Sequence, residues 1–304
     1  MITATISTYN REKYLPQVLD SLKRQTLNKD LFEIVLVNNN SPGNTEEIAR
    51  DFMASNPELK VSYHLETNQG LSYGRNRGIK EASGKYITFI DDDAFLADNY
   101  LEKIYNYFEQ DATVAAIGSK ILLHYEDVIP SWENKYLNSL LGWYDPSDEP
   151  YDYKGTDKDY PRGSNMSFRM SVFETAGDFN VELGRKGNNL AGSEEKDIFQ
   201  RIYRIQNMKV IFVPDALVYH CVPNERTTAE FIKRQALGNG RSERIRAQNE
   251  GFISLLKRWV KEKIMWFGSL VLWWVYLFKG QTAKGNMIIR FRWWVTLGFV
   301  FKRQ

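Results

Sequence analysis

The stretch YITFIDDD, residues 86–93, is the most informative part of this sequence. Its first five residues are apolar or favour β structure, which is typical of a strand buried in a parallel sheet. The aspartates Asp91, Asp92 and Asp93 follow where that strand should end. Ligands of open α/β sheets collect at the carboxyl ends of the strands. The stretch therefore predicts a strand with an acidic site at its carboxyl end.

The segments before this stretch repeat one order of strand and helix. Apolar strands are predicted at residues 2–8, 32–37 and 61–65. Helices are predicted after them, at residues 14–25, from about residue 45, and at 71–82. Three strand–helix units followed by a fourth strand predict an α/β fold with a mostly parallel sheet, helices on both faces and right-handed crossovers.

Composition limits the class of protein. The chain has 304 residues, 43% of them apolar, so it can bury a sizeable core. Cys221 is the only cysteine, which excludes a disulfide framework and a Cys-rich zinc site. The sequence has no HExxH and no GxxxxGKS motif, so zincin protease and P-loop signatures are missing. The first residues do not resemble a secretory signal, and we therefore expect a cytosolic location.

Three groups of polar residues are candidates for chemistry. Asp91–Asp93 could bind Mg²⁺ or Mn²⁺ together with substrate phosphates, or could form a solvated acidic turn. The acidic segment EEKD, residues 194–197, could supply a general base, or could be a helix start favoured by the macrodipole. His220 closes a predicted strand and could be a metal ligand where carboxylates converge with it, or a structural histidine.

Six segments, in order over about residues 2–230, together resemble family 2 of the glycosyltransferases, which has the GT-A fold. They are TYNR (8–11), VLVNNNS (35–41), the run NQG, GRNRG and ASG (68–84), DDD (91–93), GSNMSFR (163–169) and EEKD (194–197). The resemblance implies an inverting glycosyltransferase that uses a nucleotide-diphospho-sugar, with a UDP-sugar favoured. It differs from the usual family pattern at Asn38 and Glu195, where Asp is commoner.

The resemblance also implies roles for individual residues. Glu195 stands where the family has its catalytic base, and a Glu can make the same proton transfer as an Asp. Asp93 would bind the divalent cation, with Asp91 in the ribose or metal shell and His220 completing the metal site. The residues implied to bind the nucleotide-sugar are Thr8, Tyr9, Arg11, Asn38, Arg75, Asp91 and Asp92.

The carboxyl-terminal segment differs in character from the rest. Residues 251–304 contain ten lysines and arginines but one acid, Glu262, so this segment carries +9 and residues 1–250 carry −7. The segment also holds six of the eight tryptophans. Residues 264–278 are an uncharged, mostly apolar run, whose length as a helix would be roughly 22 Å, which is marginal for crossing a bilayer.

This pattern favours a helix that lies in a membrane interface. A buried docking helix, an oligomer contact and a membrane-spanning helix are the alternatives. Nucleic acid is not an expected partner, because the apolar run is too continuous.

The sequence thus predicts a catalytic domain over residues 1–230 and a helical, membrane-associating segment over 231–304. We expect a peripheral enzyme at the cytoplasmic face of the membrane, acting on a lipid-linked or surface polysaccharide intermediate. Two alternative functions remain: a soluble transferase acting on protein or small acceptors, and a catalytically silent nucleotide-sugar binder that acts as an assembly partner at the membrane.

Overall fold

A computed structural model describes residues 1–156, 159–185 and 193–301. The chain divides into two compact units. The first unit comprises residues 1–122 and 144–221, and the second comprises residues 123–143 and the chain from Val222 onward. The domain boundary that the sequence predicts at residue 230 stays a prediction.

The first unit is built around one sheet. Among the described residues this sheet has nine strands: β1 (Ile2–Thr8), β2 (Phe32–Asn38), β3 (Val61–Leu65), β4 (Tyr86–Asp91), β5 (Ala94–Leu96), β6 (Val114–Tyr125), β7 (Tyr151–Asp152), β8 (Asn165–Arg169) and β9 (Lys209–Val222). Its helices are α1 (Leu15–Lys23), α2 (Thr45–Ser55), α3 (Leu71–Glu81), α4 (Tyr100–Gln110), α5 (Ser171–Ala176) and α6 (Glu194–Ile202).

The strand order is β3-β2-β1-β4-β8-β6-β9-β5, with β7 paired to β9. The neighbours from β3 to β4 are parallel, whereas β8 pairs antiparallel with both β4 and β6. Strand β1 is buried on both faces: Ala4 and Ile6 on one face are completely inaccessible to solvent, and Thr3 and Thr5 on the other are at most 1% exposed. The predicted parallel α/β sheet is confirmed, and antiparallel strands extend it.

Helix α3 packs unusually close to β1. A Cβ atom on Gly74 would lie 1.9 Å from the Ser7 hydroxyl oxygen, and one on Gly78 would lie 2.3 Å from Oγ1 of Thr5. Only glycine fits at such a distance. The two glycines of GRNRG therefore let α3 rest directly on the central strand, which fixes the depth of Arg75 between them.

Some elements differ from the predicted ones. The apolar runs at residues 210–213 and 217–219 predict two strands, but both belong to the single strand β9. The polar, Pro- and Gly-rich stretch 142–162 predicts a long loop, but two of its residues form β7, and its residues 157–158 lie outside the described residues. The polar sequence of residues 226–249 predicts a helical stretch interrupted at Gly238 and Gly240, but an unbroken helix, Ala229–Asn249, covers most of it. An interior glycine costs a helix only about 1 kcal/mol, which packing easily offsets.

The second unit is helical. Its long helices are α7 (Ala229–Asn249), α8 (Phe252–Phe278) and α9 (Thr282–Val300). Helices α7 and α9 touch backbone to backbone, because a Cβ on Gly240 would lie 2.1 Å from the Val295 carbonyl oxygen. The core includes Trp132, Leu137, Leu141, Val222, Ile232, Met287 and Ile288. Within the described part of the chain, no helix is both long and apolar enough to cross a membrane.

Candidate active site

The carboxyl ends of β1, β2 and β4 meet at one edge of the sheet. The register places Thr8 beside Asn38 and Ser7 beside Asp91. Since these strands are parallel neighbours, the polar residues that follow each of them converge. The TYNR, NNNS and DDD segments are thereby brought together as predicted.

Residues 9–11 contact the aspartate segment directly. The backbone N–H of Tyr9 donates to Oδ2 of Asp92 at 3.2 Å, and Nη2 of Arg11 lies 3.9 Å from Oδ2 of Asp93. Burial and the neighbouring Asp93 carboxylate raise the pKa of Asp92 to about 7, although the Thr8 hydroxyl and Arg11 oppose the rise. The aspartates thus crowd negative charge that a cation would relieve.

Asn38 and Asn39 shape the adjacent edge. The Asn38 amide donates to the Tyr63 hydroxyl at 2.9 Å, while its carbonyl oxygen accepts from the Ser41 N–H at 2.8 Å. Asn39 accepts from the N–H of Gly70 at 2.8 Å, at the start of α3. Gly70 has φ 146°, a conformation that favours glycine. Asn39 therefore fastens the NQG loop to the end of β2, a role that the sequence analysis missed.

His220 reaches the aspartate segment from a distant part of the chain. Strand β9 pairs with β5, with His220 opposite Ala94, so the imidazole lies next to the end of the DDD segment. Nε2 of His220 is 3.5 Å from Oδ1 of Asp93, and both residues are buried. The backbone N–H of Cys221 also donates to the Asp93 carbonyl at 2.8 Å. The predicted neighbourhood of Asp93 and His220 is present.

These residues fit a divalent cation that shares its ligands with a substrate. A carboxylate oxygen and an imidazole nitrogen 3.5 Å apart can both reach one ion. Mg²⁺ and related ions are usually held by one or two carboxylates plus substrate phosphates, not by an all-protein cage. Consistent with this, the described residues contain no cluster of three or more His, Cys, Asp or Glu side chains able to hold an ion by themselves.

Arg75 lies at the base of the site and contacts several carboxylates. Its Nη1 is 3.1 Å from Oε1 of Glu194 and 3.8 Å from Oε1 of Glu195. Its Nη2 is 3.7 Å from Oδ1 of Asp91 and donates to the Gly163 carbonyl at 3.3 Å. Only 2% of Arg75 is exposed. In this structure Arg75 therefore connects the end of β4 to the start of α6.

Glu195 lies in the first turn of α6, beside the GSN segment. Burial raises the pKa of Glu195 to about 7; Arg75 opposes the rise, while Glu194 and Asp91 add to it. A Cβ atom on Gly163 would lie 2.1 Å from Oε1 of Glu195, so glycine is what leaves room for this carboxylate. A carboxylate with a pKa near neutral is suited to accept a proton at physiological pH.

The other acids of the EEKD segment have partners of a different kind. Glu194 is buried against Arg75, and Asp197 binds Arg201 one helical turn later at 2.8 Å. Among the described contacts, Glu194 and Asp197 each form an ion pair shorter than 3.5 Å, whereas Glu195 does not. Glu194 was not among the predicted site residues, because nothing in the sequence links it to Arg75.

A buried polar network supports the strand of the GSN segment, and sequence reasoning missed it too. The carbonyl oxygen of Asn165 accepts from the Tyr100 hydroxyl at 2.8 Å, and its amide donates to Ser119. The Ser167 hydroxyl donates to Thr88 at 2.8 Å. These contacts join β8 to β4 and α4, and so hold the segment that carries Gly163.

Comparison with known proteins agrees with this geometry. Residues 3–177 match the family model described as glycosyl transferase family 2. The glucosyl-dolichyl phosphate glucuronosyltransferase of Haloferax volcanii is 26% identical over 253 residues, which are 80% of this chain and 76% of that protein. The matches to several other curated relatives span less than a third of those proteins' length.

Solved structures agree on the fold. The mannosyltransferase PcManGT of Pyrobaculum calidifontis, solved with GDP-Man and Mn²⁺, superposes with a TM-score of 0.62 at 17% identity, over 100% of this chain and 88% of that one. Residues 1–349 of TarS from S. aureus, solved with UDP, give 0.55 at 18% identity, over 78% of this chain and 65% of that one. The predicted GT-A fold class is confirmed.

Proposed function

The chain belongs to glycosyl transferase family 2, and on that premise we propose that it is an inverting, metal-dependent transferase acting on a nucleotide-diphospho-sugar. That it is a glycosyltransferase follows from the family. The observation that carries the finer proposal is the separation of two groups in one site. Asp93 and His220 lie close enough together to bind one metal ion. Glu195 is a separate carboxylate, whose pKa is raised to about 7.

The donor would bind at the ends of β1, β2 and β4. Thr8, Tyr9, Arg11 and Asn38 border the edge where the nucleotide would lie. Asp93 and His220 would hold a divalent cation, Mn²⁺ or Mg²⁺, with Asp91 and Asp92 beside it. When bound, such a cation neutralises the charge that develops on a departing diphosphate. A UDP-sugar is the donor we favour.

Glu195 would act on the acceptor. Its carboxylate would take the proton of the acceptor hydroxyl as that oxygen attacks C1 of the sugar. Attack from the side opposite the diphosphate inverts the anomeric centre. The Arg75 guanidinium contacts Glu194 and Glu195 and lies next to Asp91, so one buried side chain would orient both the base side and the donor side of the site. Fixed geometry of this kind supplies a large part of the acceleration of such reactions.

The acceptor we propose is a lipid-linked or surface polysaccharide intermediate, at the cytoplasmic face of a membrane. The name of the Haloferax volcanii relative contains a dolichyl phosphate, which supports a lipid-linked acceptor. The basic, tryptophan-rich segment 251–304 supports peripheral attachment to the membrane surface.

A donor screen followed by a turnover assay tests this function. Nucleotide-sugars are screened by thermal shift with Mn²⁺ or with a chelator, because a ligand of the native state raises its stability. Release of the nucleoside diphosphate is then measured for the wild type and for Glu195→Gln. Metal-dependent stabilisation with release that needs Glu195 supports the proposal. Binding without any release, in the presence of candidate acceptors, would instead indicate the catalytically silent binder.

A further inference from the structure

Helix α8 exposes a continuous apolar stripe. Eight large side chains, spaced three or four residues apart, are between 46% and 84% exposed: Ile253, Leu256, Val260, Ile264, Phe267, Val271, Trp274 and Phe278. At about 100° per residue they fall within an arc of about 80° along a helix roughly 40 Å long. We call these eight residues the α8 stripe. An exposed apolar surface of this extent is typical of an interaction site.

The opposite side of α8 is held inward by buried ions. Glu262, 1% exposed, accepts from Nη1 of Arg258 at 2.7 Å and from Nη1 of Arg292 at 3.3 Å. The Thr296 hydroxyl donates to the same carboxylate at 3.0 Å. Breaking a buried ion pair leaves an uncompensated charge, which is strongly unfavourable. Rotating α8 about its axis to bury the stripe against α9 would break these buried contacts. They therefore keep the stripe facing outward.

The exposed charges of helix α8 itself have one sign. Glu262 is the only acid in residues 251–304, and it is buried. Lysines border the stripe on both sides and are exposed: Lys257, Lys261, Lys263 and Lys279. Among the residues of α8 that the structure describes, the solvent-facing charges are thus all positive.

We propose that the α8 stripe docks on an anionic lipid leaflet, with the helix lying in the plane of the interface. This inference rests on the proposed function, because it identifies the membrane partner of the same enzyme. Charge complementarity decides the occupant: lysines beside an apolar face match anionic headgroups over acyl chains. A second copy packed stripe to stripe would bring lysines against lysines. The 15 uncharged residues between Lys263 and Lys279 are also fewer than the roughly 20 that a spanning helix needs.

The test compares vesicle binding of the full chain and of matched variants. Phosphatidylcholine vesicles with and without phosphatidylglycerol are floated with the wild type, with Ile264→Glu/Phe267→Glu, and with Ile245→Glu. Ile245 is 58% exposed on α7, outside the stripe, so it controls for an added acid at an exposed apolar position. We expect the double variant to lose about tenfold or more in affinity for the anionic vesicles. The control should lose less than about twofold, and circular dichroism should show that all three proteins are folded.

Two further measurements complete the test. Lys257→Gln/Lys261→Gln should weaken binding to anionic vesicles and flatten its salt dependence, because exposed charges are screened by salt. Carbonate should release the wild type from the vesicles. Retention after carbonate, equal binding by wild type and double variant, or a dimer in light scattering that only the double variant abolishes would each overturn the proposal.

Donor turnover, measured in the same samples, separates this inference from the proposed function. A wild type that floats with vesicles but never releases nucleotide would contradict the enzyme proposal and leave the docking surface standing. A wild type that turns over donor but does not bind anionic vesicles at low salt would contradict the docking proposal and leave the enzyme proposal standing.

Discussion

Nη1 of Arg75 lies 3.1 Å from Oε1 of Glu194, across 119 residues of sequence, and both side chains are almost completely buried. Removing one member of such a pair leaves a buried charge without its partner, which is far more costly than loss of a surface ion pair. The same guanidinium is 3.7 Å from Asp91 and 3.8 Å from Glu195. The stability of the unit and the arrangement of its reactive groups therefore depend on one side chain.

We expect Arg75→Gln to lower the free energy of unfolding by about 3–5 kcal/mol, as measured by urea denaturation, because Glu194 loses its buried partner. Arg77→Gln is the control: Arg77 pairs with Glu81 one turn away near the surface and should contribute less than about 1 kcal/mol. Arg75→Gln/Glu194→Gln should recover part of the loss, since neither charge is then left alone. Equal effects of the two single variants would contradict this account of Arg75.

Replacement of the proposed base should separate binding from turnover. We expect Glu195→Gln to bind donor with unchanged affinity and to lose about 10² to 10⁴ in transfer rate. In the wild type, the rate should rise with pH up to about pH 7 and then level off, because Glu195 must be ionised to accept a proton. The variant should lack this rise. Asp197→Asn is the control, since Arg201 holds that carboxylate; a larger loss there would move the base to Asp197.

The raised pKa of Glu195 also predicts how stability depends on pH. An acid whose pKa is higher in the folded protein than in the unfolded chain destabilises the fold as pH rises between the two values. Because the pKa of Glu195 rises from its ordinary value of 4.5 to about 7, the ionised side chain should cost the ligand-free protein about 1–3 kcal/mol. Glu195→Gln should therefore unfold at higher temperature than the wild type at pH 8, with no difference below pH 4.5. If the two proteins differed in unfolding temperature by the same amount at pH 8 and below pH 4.5, the pKa of Glu195 would not be raised by folding.

Gly163→Ala tests the space beside the base. The added methyl group would meet Oε1 of Glu195, and the flexible carboxylate should move away with little loss of stability. We expect transfer to fall by about tenfold or more while donor binding is retained, because misplacing a catalytic group by about 1 Å costs rate. Gly238→Ala is the matched control: nothing lies within 4 Å of its added atom, and Ala favours the helix by about 1 kcal/mol. Full activity of Gly163→Ala would place the reactive oxygen elsewhere.

Asp93→Ala tests the cation. Donor affinity, measured by calorimetry, should fall by about tenfold or more in Mn²⁺ and should change little in chelator, because the residue acts through the ion. Asp30→Ala provides the control, as the Asp30 side chain is 85% exposed and far from the site in sequence and fold. Equal affinity of wild type and Asp93→Ala in Mn²⁺ would remove Asp93 from the metal site.

The order of strands and helices could be predicted from local patterns. Hydrophobic periodicity marked β1, β2, β3 and β4, and acidic or amide residues marked where three of them end. The resemblance to family 2 glycosyltransferases implied that Thr8, Asn38 and Asp91 line one nucleotide site, and the register of the parallel neighbours β1, β2 and β4 places all three at one edge of the sheet. The continuity of α7 through Gly238 and Gly240 could not be predicted in this way, because it depends on packing against α9, whose backbone lies directly on Gly240.

By itself, then, the sequence determined the class of fold, the acidic edge of the sheet and the basic, tryptophan-rich tail. Apart from Asp93 and His220, which the resemblance had already assigned to one metal site, only the tertiary structure decided which charges meet, and it alone shows how each pair is brought together. His220 reaches Asp93 because β9 pairs with β5, and Arg75 reaches Glu194 because two glycines let α3 sink onto β1. It also decided that the stripe of α8 faces outward while Glu262 faces inward. Local patterns arise from each residue's own preference for burial, whereas these contacts join side chains that only the packing of distant segments brings within a few ångströms.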